Sequence, residues 1–231
     1  MILISEIFGP TIQGEGAAIG VPTVFVRTAG CDFRCEWCDT LHAVDRSYRA
    51  EWLEMTSVQI MEKVEALSQG TPLLITLSGG NPAIQDLSEL ISLGKAKGYR
   101  FAMETQGSVS AAWFADLDMI TFSPKPPSSK MRFRPERFEA CLNASGESQK
   151  SMKIVVASDE DLLWAEAMKQ AYPHLPLYLQ PCNPYLNGEP DQRQLAANMR
   201  ELVDKVIEKG WYNVTVLPQL HVYLWGNAQG V

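Results

Sequence analysis

The sequence lacks any apolar run of the roughly 18 residues needed to cross a bilayer. It also lacks the basic and then apolar N-terminal pattern of a secretory signal. Basic residues are outnumbered, 20 against 27 acidic, and phosphate binding needs clustered lysine and arginine. We therefore expect a cytoplasmic protein whose partner is neither a membrane nor a nucleic acid.

Cysteine is scarce and unevenly distributed. Three of the five cysteines lie within eight residues, as Cys31-x3-Cys35-x2-Cys38, whereas Cys141 and Cys182 stand alone. An odd number in a reducing compartment favours metal or redox chemistry over a disulfide framework. The two isolated cysteines fit small, semi-buried apolar positions better than reactive ones.

The three clustered thiols admit three interpretations. A structural zinc site usually has four protein ligands, and His42 is the candidate for the fourth. A catalytic thiol would need only one of the three cysteines. A cube-shaped iron–sulfur cluster on three thiolates would leave one iron open to a non-protein ligand. The position of Cys31 just past a predicted strand favours this open cluster but does not exclude zinc.

Short apolar strands alternate with helical segments along the whole chain. Gly9-Pro10 is expected to end the first strand, and residues 41–55, which lack a period, are expected to be irregular. The alternation, without any linker, predicts that residues 1–231 form one α/β domain with a parallel, partly closed barrel. The predicted strands are 2–8, 24–28, 73–77, 101–105, 119–123, 152–156, 177–180 and 214–217, and the predicted helices begin near 56, 84, 111, 135, 159 and 192. Thr56 to Gln59 fit a capping box for the first helix, the second is expected to run from 84 to 97, and Ser158 is the expected cap of the fifth.

Several polar residues end predicted parallel strands, whose carboxyl ends meet at one edge of a sheet. Glu104 and Ser123 are two of them. Arg27 lies near the end of an apolar strand, where its guanidinium needs either a substrate carboxylate or an internal acidic partner. Ser78-Gly79-Gly80-Asn81-Pro82, taken alone, is an ordinary strand–turn–helix connection. The aromatic-rich segment from Leu217 to Gly226 is expected to dock on the domain.

The cysteine spacing, with the aromatic Trp37 before the last cysteine, resembles the signature of the radical S-adenosylmethionine superfamily. Ser78-Gly79-Gly80-Asn81-Pro82 resembles the Gly-Gly-Glu motif of that superfamily, with Asn81 in place of the acidic residue. The resemblance implies a partial (incomplete) parallel β/α barrel of the radical SAM type. It also implies a [4Fe-4S] cluster on three thiolates, with S-adenosylmethionine bound to the fourth iron.

Motifs spread over the whole chain further resemble the 7-carboxy-7-deazaguanine synthase family. That resemblance implies a lyase that converts 6-carboxy-5,6,7,8-tetrahydropterin to 7-carboxy-7-deazaguanine with loss of ammonia, in queuosine and 7-deazapurine biosynthesis. It also implies Mg²⁺, a homodimer, and a flavodoxin- or ferredoxin-like reductant. The motifs are Gln13-Gly14-Glu15-Gly16, residues 27–40, Glu104-Thr105-Gln106-Gly107, Ser123-Pro124-Lys125-Pro126-Pro127, and residues 217–231.

The same resemblance implies roles for the matching residues. Cys31, Cys35 and Cys38 would hold the cluster and serve as the catalytic centre, and Thr40 would be the Mg²⁺ ligand. Glu104 and His221 would lie near the substrate, and the roles of these two residues and of Glu15 stay open. S-adenosylmethionine would be bound by Trp37, Cys38, Asp39, Gly80, Ser123, Pro124, Lys125 and Gln180, and the pterin by Ile12, Gln13, Gly14, Arg27, Ser78 and the terminal carboxylate of Val231.

Two other functions remain open at the level of sequence. A glycyl-radical activating enzyme shares the cysteine spacing but needs an open groove for a protein substrate. A zinc- or cluster-bearing binding module would need no catalytic cavity. Both alternatives therefore make different predictions about the shape of the site.

Overall fold

Nine strands make up one sheet in the described part of the chain. The protein is represented by a computed structural model, which describes residues 1–186 and 188–231. The strands, in chain order, are β1 (Ile2–Ile12), β2 (Pro22–Thr28), β3 (Leu53–Met55), β4 (Leu74–Gly79), β5 (Arg100–Thr105), β6 (Met119–Phe122), β7 (Gln149–Val156), β8 (Leu177–Pro181) and β9 (Val214–Val216).

The strands lie in the order β3-β1-β2-β4-β5-β6-β7-β8-β9. All neighbouring pairs from β2 to β9 are parallel, and β1 is antiparallel to both β2 and β3. The pairing of β1 with β2 is antiparallel because residues 13–21, which connect them, are too few for the crossover that a parallel pair requires. The predicted α/β fold is confirmed, and the run of parallel strands from β2 to β9 is consistent with the predicted partial parallel barrel. The antiparallel pairing of β1 departs from the prediction.

The first strand continues through Gly9 and Pro10, so the prediction that it ends there is wrong. Proline has no N–H to donate and is tolerated in strands mainly at edges and bulges. The register of β1 against β2 shifts between Phe8 and Thr11, and this irregularity accommodates the two residues before pairing resumes. The longer strand delivers residues 13–16 to the far side of the site described below.

Helices cover the sheet, and two of them begin at the caps that the sequence predicted. The Thr56 hydroxyl accepts from the Gln59 N–H while the Gln59 side chain accepts from the Thr56 N–H, and Ser158 accepts from the Asp161 N–H. Such caps contribute about 1 kcal/mol each. Among the described residues, no helix is both long and apolar enough to cross a membrane. The helices are α1 (Leu41–Val44), α2 (Ser57–Leu67), α3 (Ser88–Ala96), α4 (Pro135–Ala144), α5 (Asp159–Ala171), α6 (Gln192–Glu208) and α7 (Leu220–Trp225).

The C-terminal segment packs on the body of the protein, as predicted. Val222 is buried, and the Leu220 N–H donates to the Gly14 carbonyl at 2.9 Å. Gly16 has a positive φ of 62°, and a side chain there would press on Thr121 of β6. The loop after β1 and the last helix therefore meet next to the parallel strands.

The parallel strands bring four loops to one edge of the sheet. These loops follow β2, β4, β5 and β6, which are consecutive neighbours, so their carboxyl ends lie side by side. In sheets and barrels of this kind, ligands bind at that edge. The edge carries the cysteines and most of the other residues to which the sequence assigned a role.

Candidate active site

A cavity of about 280 Å³ lies at this edge, between the four loops and the C-terminal residues. Every residue assigned to a cofactor, substrate or metal lines it, except Pro124 and Gln180. Those two are buried, and the Gln180 Oε1 has no hydrogen-bond partner among the described residues. The assigned residues on the wall are Ile12, Gln13, Gly14, Arg27, Cys31, Cys35, Trp37, Cys38, Asp39, Thr40, Ser78, Gly80, Ser123, Lys125 and Val231.

The three cysteines lie on residues 30–40, here called the thiol loop, which follows β2 directly. The Cys31 Sγ accepts from the Phe33 N–H at 3.4 Å and from the Gln106 amide at 3.6 Å. Burial raises the pKa of Cys31, and it raises the pKa of Cys35 to about 11, so these thiols hold their protons until a metal displaces them. Three half-buried sulfurs on one short loop, the first of them with two N–H donors nearby, fit an iron–sulfur cluster.

The zinc interpretation, with His42 as fourth ligand, is not supported. The His42 Nε2 lies 3.3 Å from Glu6 Oε1, and its Nδ1 lies 3.3 Å from the Gln229 amide nitrogen. The amide must donate, so Nδ1 accepts and Nε2–H donates to Glu6, a tautomer assigned from these contacts. Among the described residues, no three His, Cys, Asp or Glu side chains converge on a single-ion site. A cluster, which spaces its thiolates further apart, does not require such convergence.

The loop after β6 packs against the thiol loop. The Trp37 indole donates to the Ser128 hydroxyl at 2.9 Å, and the Glu36 N–H donates to the Ser129 carbonyl at 3.0 Å. The Lys125 ammonium lies 5.6 Å from the centre of the Trp37 ring and donates to the Ser123 hydroxyl at 3.1 Å. These contacts join the residues assigned to S-adenosylmethionine into one wall of the cavity.

The loop after β4 approaches the thiol loop so closely that Gly80 admits no side chain. A Cβ at Gly80 would collide with the Gly30 carbonyl and lie 2.9 Å from the Cys31 Cβ. At Gly79 the φ of 144° is also a conformation that favours glycine. Steric crowding and backbone conformation therefore explain why glycine occupies positions 79 and 80, whether or not a ligand binds there.

A polar chain forms the wall on the side of β1 and β2. Arg27 donates from Nε to Glu6 at 2.6 Å and from Nη1 to the Ser78 hydroxyl at 3.2 Å. Burial alone would raise the pKa of Glu6, but the hydrogen bond from His42 and the charge of Arg27 outweigh it and lower the pKa. Arg27 therefore has the internal acidic partner that the sequence left as an alternative, while it still lines the cavity.

A buried ion cluster forms the opposite wall, and the lysine at its centre is not among the residues predicted from the sequence. Lys153 of β7 is 2% exposed and contacts Glu15, as well as Glu104 at 2.6 Å. Burial alone would lower the pKa of Lys153, but the two carboxylates outweigh it and raise that pKa. Burial would likewise raise the pKa of Glu15, but Lys153 and then His221 lower it to about 2. The sequence signal for this cluster is a lysine inside the apolar stretch Met152–Val156, because a charge buried in a strand needs a charged partner.

The C-terminal residues close the cavity from a third side. Gln219 donates to Glu15 at 2.8 Å and to Asp39 at 3.3 Å, which links the ion cluster to the thiol loop. Asn183 donates to Asn227 at 3.0 Å. The residues from Ala228 to Val231 lie on the wall itself. A small polar ligand would therefore be enclosed by the protein's own tail.

The fold and the thiol loop together define a radical S-adenosylmethionine enzyme. A family model described as "4Fe-4S single cluster domain" matches residues 12–114, which include the whole thiol loop. The crystal structure of QueE from Escherichia coli superimposes with a TM-score of 0.69, covering 95% of this chain and 94% of that one at 24% identity. At that identity the likeness supports the fold.

Full-length relatives identify the family within this class. The 7-carboxy-7-deazaguanine synthase of Bacillus subtilis (strain 168) is 43% identical, over 100% of this chain and 98% of that protein. The protein of the same name from Bacillus cereus is 40% identical, over 100% of this chain and 99% of that protein. The synthase of Thermoplasma acidophilum is 31% identical over the full length of both. The chain belongs to the 7-carboxy-7-deazaguanine synthase family.

Proposed function

We propose that this protein converts 6-carboxy-5,6,7,8-tetrahydropterin to 7-carboxy-7-deazaguanine with loss of ammonia, as a radical S-adenosylmethionine lyase. The observation that carries the proposal is that one cavity brings together the thiol loop, the residues assigned to S-adenosylmethionine and two walls of charged side chains. Its lining by the C-terminal residues suits a small molecule better than a protein substrate, which argues against a glycyl-radical activating enzyme. The product serves queuosine and 7-deazapurine biosynthesis.

The residues of the thiol loop hold the cofactors. Cys31, Cys35 and Cys38 bind a [4Fe-4S] cluster that, with S-adenosylmethionine bound, supplies the one-electron chemistry of the reaction. Trp37 and Lys125 form the adjoining part of the S-adenosylmethionine site. The other residues of that site are Cys38, Asp39, Gly80, Ser123, Pro124 and Gln180.

The two charged walls bind the pterin. Arg27 presents its guanidinium to the substrate carboxylate, since it is held in place by Glu6 and lines the cavity. The terminal carboxylate of Val231 accepts from the N–H groups of the aminopyrimidinone edge. Glu15 stays ionised at neutral pH, because Lys153 keeps its pKa low, and is therefore an acceptor as well. Ile12, Gln13, Gly14 and Ser78 complete the substrate site.

Thr40 would hold the magnesium ion, with the substrate supplying further oxygen ligands. The Thr40 hydroxyl lines the cavity 3.8 Å from the Cys38 Sγ, and a hydroxyl oxygen suits this hard cation. A single protein ligand leaves most of its six positions to water and substrate oxygens. Mg²⁺ affinity should therefore be low without the pterin and higher with it.

The proposal extends to the organisation and setting of the protein. Residues 1–231 form one radical SAM domain, and the protein acts as a homodimer in the cytoplasm. A flavodoxin- or ferredoxin-like protein is the reductant. The single sheet on which the described elements pack supports the one-domain assignment, and the family resemblance supports the other features.

Anaerobic reconstitution tests the function directly. The protein is loaded with iron and sulfide, reduced with dithionite, and given S-adenosylmethionine, Mg²⁺ and the pterin; the deazaguanine product and ammonia are measured. Cys35→Ala should abolish both the brown cluster and the product, whereas Cys182→Ala, which changes a cysteine outside the cavity wall, should retain both. A wild-type protein that binds no cluster, or forms no product, would overturn the proposal.

A further inference from the structure

Asn81 occupies the position of the acidic residue in the Gly-Gly-Glu motif, yet its side chain does not reach the cavity. It is fully buried and absent from the cavity wall, although Gly79 and Gly80 before it are both present there. Its Nδ2 donates to Asp32 Oδ1 at 2.8 Å and to the Ser108 hydroxyl at 3.3 Å. Its Oδ1 accepts from the Thr105 hydroxyl at 2.8 Å. The amide therefore uses both its donor and its acceptor inside the protein.

Asp32 is the residue through which these contacts reach the thiol loop. It follows Cys31 directly in the sequence. Its side chain is exposed, so packing does not explain why an aspartate stands at this position. Its Oδ1 nevertheless accepts from a second amide, Gln106 Nε2, at 2.7 Å, and the same nitrogen lies 3.6 Å from the Cys31 Sγ. Two amides, from the loops after β4 and β5, thus converge on one oxygen beside the first cysteine.

The donor and acceptor inventory explains why an amide stands at position 81. A carboxylate has no hydrogen to donate when ionised, so an acidic residue there would lose the bond to Asp32 and face its negative charge. An asparagine has nearly the same shape and provides the missing donor. Asn81 and Asp32 therefore form one amide–acid pair. The hydrogen bond between them should also form if position 81 carried the acid and position 32 the amide.

We propose that Asn81 is a positioning residue, which with Gln106 fixes the thiol loop through Asp32 and does not contact S-adenosylmethionine. The backbone supports the same link, because the Asn81 N–H donates to the Gly30 carbonyl at 2.9 Å. The inference rests on the proposed function only in treating the thiol loop as the cluster site. Its test uses the metal-free protein, so a failure of the lyase activity and a failure of this inference are separate results.

The test is hydrogen–deuterium exchange of peptides from the thiol loop in reduced, metal-free protein. Asn81→Asp and Asp32→Ala should each speed exchange there by about tenfold or more, because each removes a hydrogen bond to a charged group. Asp32→Ala changes an exposed side chain, so this variant should fold even if Asn81→Asp does not. The double variant Asn81→Asp with Asp32→Asn exchanges the amide and the acid, and it should return exchange to within about threefold of wild type.

Asn198→Asp is the matched control for added charge. Its Oδ1 accepts from Gln194 at 2.8 Å, and an aspartate can still accept there, so exchange in the thiol loop should not change. Iron release from the reconstituted proteins to a chelator should rank the variants in the same order as exchange. If Asn81 instead served S-adenosylmethionine, Asn81→Asp would restore the acidic residue of the motif and leave exchange unchanged. That result, or a double variant no better than Asn81→Asp, would overturn the inference.

Discussion

Replacing Lys153 with methionine should destabilise the protein more than replacing a lysine of a surface ion pair. The change keeps a long unbranched side chain but removes the ammonium between Glu15 and Glu104, all three of which belong to the buried ion cluster. Two carboxylates would then face each other with little access to water. Removing one partner of a buried ion pair typically costs about 3–5 kcal/mol.

The low pKa of Glu15 expresses the same interaction in terms of proton binding. The fall from its usual 4.5 to about 2 corresponds to about 3 kcal/mol of folding free energy. Because the folded-state pKa is the depressed one, this stabilisation is fully present above pH 4.5 and is lost as the pH falls towards 2. In Lys153→Met the burial that raises the pKa of Glu15 is no longer offset by the ammonium, so Glu15 should gain a proton more readily than in wild type. The difference between wild type and variant should therefore be largest near pH 7 and shrink at acidic pH.

Urea unfolding of the reduced, metal-free protein measures this difference, followed by tryptophan fluorescence at pH 7 and pH 5. Lys205→Met is the matched control, since Lys205 also bridges two carboxylates, Asp159 and Glu201, both at 2.6 Å. That cluster is on the surface, so its loss should cost about 1 kcal/mol or less. Equal losses for the two variants, or a Lys153→Met loss that does not shrink at pH 5, would refute the reasoning.

Three further predictions concern the cavity. Arg27→Lys keeps the charge but loses the planar fork of donors that reaches Glu6 and Ser78 and can also pair with a carboxylate. The Kd for the pterin should therefore rise about 10–100-fold by calorimetry, with unchanged cluster absorbance. Deleting Val231 moves the terminal carboxylate, and the pterin Kd should rise about tenfold while iron content stays the same; an unchanged Kd contradicts its role. Gly80→Ala forces the Gly30 carbonyl to move, which should lower the thermal midpoint and the iron bound per chain; a fully loaded variant contradicts the steric argument.

The local elements of the fold were predictable because their determinants are adjacent in sequence. Thr56 and Gln59 form their capping box as predicted, and α6 begins at Gln192 as predicted. The predicted continuous helix from 84 to 97 was less accurate, since a 3-10 turn at Pro82–Ile84 precedes α3. Residues 41–55, expected to be irregular, contain α1 and β3. A three-residue edge strand such as β3 depends on its partner β1, so the sequence of the strand does not reveal it.

The sequence by itself located the thiols and, through the family resemblance, indicated the class of chemistry, because three thiols within eight residues and a strand before them are local features. The tertiary structure alone decided which polar groups meet. Glu6 reaches Arg27 through the pairing of β1 with β2, Lys153 reaches Glu15 across the sheet, and Asn81 reaches Asp32 between two loops. Strand register and the packing of loops set those distances, and neither can be read from spacing along the chain. The thiol loop was therefore visible in the sequence, whereas the contacts that hold it in place were not.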